Sequence, residues 1–200
     1  MWRNVKREAC SCYTLFMVLL NNHGPERSLS GVDTVVIHVT QGSAEGAMAW
    51  FANPAARVSA HVLITMKGEV IELLDLHQTA WHAGVREVNA RSIGIELEGV
   101  GSSYAGTEAQ LAACARHIRR LEGELRRELA VRGHNEFKAT ACPAGVDVGA
   151  IAKVVKDMRE NSIDTVVLHV GGVSPIVLRG NFTMTRRGRK VDIRAEETPQ

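Results

Sequence analysis

The sequence predicts an α/β (α+β) fold, a single mixed central β-sheet flanked by helices. Two observations carry that expectation. From Val32 onward, β-branched runs bounded by glycine and turn residues recur. Between them lie segments with apolar residues every three or four positions, the period of a helix with one buried face.

Taken in order, "DTVVIHVT" from Asp33 is a β-branched run and reads as a buried strand. "AEGAMAWFAN" reads as a helix that stops before Pro54. "SAHVLITMKGEVIELL" reads as two strands joined at Lys67-Gly68, a hairpin signal. "RSIGIELEG" is a further strand bounded by glycine. The clearest helix is expected from Thr107 to about Leu129. Thr107 and Gln110 have capping-box spacing, and Leu111, Cys114, Ile118, Leu121, Leu125 and Leu129 form one apolar stripe. Asp147 is expected to cap a last helix whose Ile151, Val154, Val155 and Met158 face inward.

These elements place one domain over residues 32–160, with unassigned extensions at 1–31 and 161–200. In the first extension, "YTLFMVLL" from Tyr13 follows Lys6 and Arg7 but is short for a signal-peptide core and too short to span a membrane. The following "NNHGPERS" lacks a small-x-small cleavage pattern, so a buried strand or an irregular extension is expected. In the second, "DTVVLHVGG" from Asp164 echoes the strand at Asp33. Two copies are too few for a solenoid. An added strand or hairpin with a polar, mobile end is expected.

Hydrophobic residues at 45% and charged residues at 23% suit an ordinary globular protein, and a net charge of +2 gives no ground for a nucleic-acid partner. The cysteines, Cys10, Cys12, Cys114 and Cys142, contain no C-x-x-C pair and are too sparse for a disulfide scaffold. Cys114 lies on the apolar side of the long helix, a core position. No membrane span and a monomer are expected.

The stretch "GHNEFKATACPAG" sets His134 and Cys142 eight positions apart across a polar loop. It reads either as half of a metal site or as a surface loop with a buried thiol. Zinc needs at least three protein ligands and, where it is catalytic, one open position. Among eight histidines, His117 and His77 read as ordinary core or surface residues. His38 differs, because it lies near the C-terminal end of a buried strand, and strand ends commonly face a cleft.

The segments "VVIHVTQG", "SAHVLITMKGEV", "TAWHAGV", "RSIGIELEG" and "GHNEFKATACPAG" stand in the order found in type-2 N-acetylmuramoyl-L-alanine amidases. The chain resembles that family, which also includes phage lysozyme-amidases, bacterial muropeptide amidases and animal peptidoglycan-recognition proteins. The resemblance covers about Val32 to Ala152. It implies that His38, His134 and Cys142 bind one zinc ion, leaving the fourth position to water. His169, in the echoed strand, is then expected not to be a ligand, since a fourth protein ligand would close that position.

The resemblance also implies that Glu96 is the general base, matching the catalytic glutamate of the muropeptide-amidase branch. Phage relatives often use a tyrosine where this chain has Ala60. Glu98 falls on the same strand face, and the alternative for Glu96 is a strand-end carboxylate in a salt bridge. Thr140 stands where many relatives carry an oxyanion-stabilising lysine, and its hydroxyl donates without bringing a charge. Trp81 and His82 resemble residues lining the sugar-peptide groove, the alternative being a core tryptophan beside a surface histidine. Asn89, with Arg91, is expected to meet the stem peptide.

The implied function is zinc-dependent hydrolysis of the amide between N-acetylmuramic acid and L-alanine, in peptidoglycan or soluble muropeptides. The alternative is a non-catalytic peptidoglycan-recognition module, from which the intact ligand triad argues away. Release to the cell wall is favoured over a cytoplasmic location.

Overall fold

The computed structural model describes residues 20–160 in full. Beyond them it describes the backbone of Val5–Arg7, Leu15–Met17, Ser162–Leu168, Ile176–Arg187 and Lys190–Glu196. Cys10, Cys12 and His169 lie outside the described residues. The chain divides into two compact units, Met1–Val155 and Lys156–Gln200.

The first unit is built on a mixed sheet. In chain order its strands are β1 (Val5–Arg7), β2 (Leu15–Met17), β3 (Thr34–Val39), β4 (Val62–Ile64), β5 (Val70–Glu72), β6 (Ser92–Leu97) and β7 (Ala130–Gly133). Across the sheet they run β1-β2-β5-β4-β6-β3-β7. The β3–β6, β3–β7, β4–β6 and β2–β5 pairs are parallel, whereas β4–β5 and β1–β2 are antiparallel. Every residue of β3 is buried, which is why "TVVIHV" lacks the alternation of a half-exposed strand. The C-terminal ends of β3 and β6 coincide at one edge, where open α/β sheets place their ligands.

Helices α1 (Ala44–Ala52), α2 (Arg86–Arg91), α3 (Glu108–Leu125) and α4 (Val148–Glu160) complete the fold. Ser43 caps α1 by accepting from Gly46 N, and the helix stops at Asn53 before Pro54. The β4–β5 hairpin turns at Gly68, whose φ of +81° and close approach to Ala109 O leave no room for a side chain. Arg27 ties the α2 region down by donating to Leu76 O, Asn89 O and Ser92 O.

Several expectations change. Thr107 does cap α3 through Gln110 N, but Gln110 does not complete the box. Its amide donates instead to Ile64 O and Glu98 O, stitching α3 to two strand ends. The helix ends at Leu125, and Arg126 takes the left-handed conformation that closes it. Leu129 is buried beyond the helix and leads into β7, a strand too short and too exposed to signal itself. Asp147 caps α4 through Ala150 N. Ile151 and Val155 face inward as expected, but Val154 is 45% exposed, because the buried stripe follows the i, i+4 spacing. Among the described residues no helix is long and apolar enough to cross a membrane.

The second unit contains β8 (Ser162–Leu168), β9 (Ile176–Arg187) and β10 (Lys190–Glu196), antiparallel in the order β10-β9-β8. The segment echoing β3 therefore sits in a different kind of sheet. The polar end, expected to be mobile, pairs with β9 from Lys190↔Arg187 to Glu196↔Asn181.

Candidate active site

His38 is the fifth residue of β3, and Glu96 is its register partner on the parallel β6, so both side chains rise from the same sheet edge. His134 opens a 3-10 turn directly after β7, which parallel pairing brings alongside β3. The loop that follows returns Cys142 to the end of β3, where Val39 N donates to Sγ at 3.4 Å. Cys142 Sγ lies 3.7 Å from His38 Nδ1 across a separation of 104 residues. One ligand atom from each of His38, His134 and Cys142 falls within 4.8 Å of the others. One tetrahedral ion with bonds of about 2.0–2.3 Å needs its donors closer than that limit, and the His38–Cys142 pair at 3.7 Å already has such a spacing.

Electrostatics fit a cation at this point. Burial, with His82 and His134 nearby, pushes His38 well below its usual pKa. Burial also lowers His134, so both imidazoles are neutral and carry a lone pair. Burial and the Glu96 charge push the Cys142 thiol up to about 11. A metal ion reverses that shift and deprotonates a coordinating thiol. Glu96 Oε2 is buried without a hydrogen-bond partner, and burial pushes its carboxyl up to about 8. A nearby cation favours the charged form of such a carboxylate. The donor set of two imidazoles and a thiol would suit zinc.

Glu96 and Glu98 share a strand face but differ in employment. Glu98 accepts from Ala44 N through Oε1 and from Met66 N through Oε2, each at 2.9 Å. Both of its oxygens therefore brace backbone. Glu96 lines the cleft with an oxygen to spare.

The cleft has a volume of about 440 Å³. It gathers seven of the eight residues singled out by sequence: His38, His134, Cys142, Glu96, Thr140, Trp81 and His82. Thr140 is exposed, and its Oγ1 accepts from Cys142 N at 3.2 Å, leaving the hydroxyl proton free to donate. Both ring nitrogens of His82 are engaged within the protein, by His38 and Ser92. Asn89 is the exception. It is buried on α2, lines no part of the cleft, and accepts from Ala83 N at 2.8 Å. Its expected contact with a stem peptide is corrected to a brace for the cleft wall, and Arg91 pairs with Asp33. Of the cleft residues that went unnoticed in the sequence, Trp50 is the most exposed large hydrophobic side chain. Trp50 on α1 is 56% exposed and lines the opening, whereas its place in an apolar segment suggested nothing but packing.

A family model described as N-acetylmuramoyl-L-alanine amidase matches residues 28–145. The chain is 41% identical over 66 residues to N-acetylmuramoyl-L-alanine amidase A of Achromobacter lyticus, covering 32% of this chain and 36% of that protein. It is 45% identical over 71 residues to 1,6-anhydro-N-acetylmuramyl-L-alanine amidase AmpD of Escherichia coli, covering 31% and 38% respectively. The matched region thus spans little more than a third of these curated relatives. Among solved structures, a mutant endolysin from Bacillus subtilis superposes with a TM-score of 0.61 at 21% identity, covering 72% of this chain and 99% of that one. A selenomethionine derivative of AmpD superposes with a TM-score of 0.55 at 26% identity, covering 70% and 93%.

Proposed function

The chain belongs to the N-acetylmuramoyl-L-alanine amidase family, and on that footing we propose that it is a zinc-dependent hydrolase of the amide joining the lactyl group of N-acetylmuramic acid to L-alanine. The observation that carries this reading is the convergence of His38, His134 and Cys142 beside the unpartnered Glu96 oxygen. His38, His134 and Cys142 would hold the zinc, which would supply Lewis acidity toward the scissile carbonyl and an attacking water.

The remaining chemistry belongs to side chains. Glu96 accepts a proton from the water as its oxygen adds to the lactyl carbonyl carbon. The same carboxyl then returns a proton to the amide nitrogen as the C–N bond breaks, so the alanine leaves as a neutral amine. The Thr140 hydroxyl, whose lone pair is held by Cys142 N, directs its proton toward the charge developing on the carbonyl oxygen. Trp81 and Trp50 give the cleft apolar walls on which a sugar ring can lie.

Digestion of purified peptidoglycan tests the proposal. New free amines without new reducing sugars are expected, with activity abolished by a chelator and restored by zinc. New reducing ends would instead mean glycosidase action. One observation favours a second reading, a recognition module without turnover: Thr140 supplies no positive charge where many relatives have lysine.

A further inference from the structure

His82 lies on β6 at the one point where that strand has no side chain. A Cβ added to Gly94 would fall 2.5 Å from His82 Cγ, so the glycine is the seat of the imidazole. From there His82 Nδ1 meets His38 Nε2 at 3.0 Å, and His82 Nε2 meets Ser92 Oγ at 3.1 Å. The Ser92 hydroxyl donates to Val88 O at 2.6 Å.

A carbonyl oxygen only accepts, so the proton order along this chain is set from its far end. Ser92 commits its proton to Val88 O, and its oxygen therefore accepts from His82 Nε2–H. His82, neutral in its buried seat, then has its lone pair on Nδ1 and accepts from His38 Nε2–H. His38 is left with a lone pair on Nδ1, the atom that faces Cys142 Sγ. The neighbouring residue treats the other imidazole alike. Ala83 O accepts from His134 Nε2–H at 3.0 Å, leaving its Nδ1 free, and Ala83 itself is held by Asn89 Oδ1.

We propose that His82 is a positioning residue of the metal centre: seated on Gly94 and anchored through Ser92, it fixes the tautomer and ring orientation in which His38 offers Nδ1 to the ion. This rests on the metal-site reading above. Partners in this outer position ordinarily change metal affinity by about 10–100-fold.

The test is zinc affinity of the full chain, measured by competition with a chromophoric chelator, together with the absorption spectrum of the cobalt(II) form. Circular dichroism checks that each variant is folded. His82→Ala should weaken zinc binding by roughly 10–100-fold and alter the cobalt spectrum. Ser92→Ala should move both in the same direction. His82→Asn, whose side-chain oxygen can stand near the position of Nδ1 and accept the same proton, should recover most of the affinity. Parent-like affinity in both His82→Ala and Ser92→Ala would overturn the proposal. So would an Asn variant as weak as the Ala variant, since bulk and not the accepted proton would then matter. Cys142→Ala separates the two readings. If it alone loses zinc, the metal site stands and the role of His82 falls, whereas if it too binds like the parent, the metal-site reading fails.

Discussion

His38 and Glu96 are direct partners across the parallel β3–β6 ladder, so a candidate ligand and a carboxylate with a free oxygen stand side by side at one sheet edge. On the other side of β3, the same parallel arrangement delivers His134 from the end of β7. The geometry separates the two glutamates of "SIGIELEG" by what each already does.

Glu96→Gln preserves shape but cannot accept a proton. Turnover should fall by about 10²–10⁴-fold with zinc content and muropeptide affinity little changed. Glu98→Gln should do the reverse. It removes a charged acceptor from Ala44 N or Met66 N and should cost about 1–3 kcal/mol of stability. Steady-state kinetics beside urea unfolding of both variants checks the division, and intact turnover in Glu96→Gln would move the search for the base elsewhere.

Much of this arrangement was legible locally. The β-branched run of β3, the Lys67-Gly68 turn and the stripe of α3 each depend on neighbours within a few residues, where pattern and structure coincide. What was illegible depends on distant partners. Among the described residues β7 pairs only with β3, and it has a single buried residue, so no periodicity marks it. Gln110 looked like half of a capping box, yet the strand ends at Ile64 and Glu98 claim its amide. Asn89 read as a stem-peptide contact because nothing local reveals that α2 folds back onto Ala83. At the site, the spacing of His134 and Cys142 suggested a pair, but their meeting with His38 spans 104 residues and came only through the family resemblance.

Stability of the metal-free chain should depend on pH in two windows. Burial and the Arg27 charge hold His61 down to about 3, and burial likewise pushes His38, His82 and His117 well below 6.5. The folded state binds fewer protons than the unfolded state there, so stability is lost as pH falls from about 6.5 toward 3. Glu96 has the opposite sign. Its folded value of about 8 lies above the ordinary 4.5, so the folded state keeps the extra proton and stability declines as pH rises through that interval. Above pH 6.5 Glu96 acts without the histidines. Urea unfolding across pH, with chelator present, should show the acid loss in the parent and a shallower decline between about pH 6.5 and 8 in Glu96→Gln. A flat acid limb would contradict the burial of neutral imidazoles.

Trp50 presents its indole at the cleft opening while making a small contribution to the core. Trp50→Ala should raise KM for a substrate carrying the muramyl ring, leave kcat nearly unchanged and lower Tm little. An equal rise in KM for a peptide amide lacking the sugar would contradict the assignment of that wall to the carbohydrate.

Thr140→Lys tests whether a missing charge limits catalysis. A single oxyanion donor can be worth about 10²–10³ in rate, so the variant should raise kcat without changing zinc content. A parent that binds muropeptide and turns over only after this substitution would favour the recognition reading.

The most direct measurement is hydrolysis of a synthetic N-acetylmuramyl-L-alanyl peptide in ¹⁸O-labelled water, with mass analysis of both products. Cleavage assisted by Glu96 at the zinc site places one ¹⁸O in the lactyl carboxylate of the muramic acid and releases unlabelled peptide with a free L-alanine amine. Label at the sugar, or intact substrate from protein that holds zinc and binds the ligand, would contradict the amidase account.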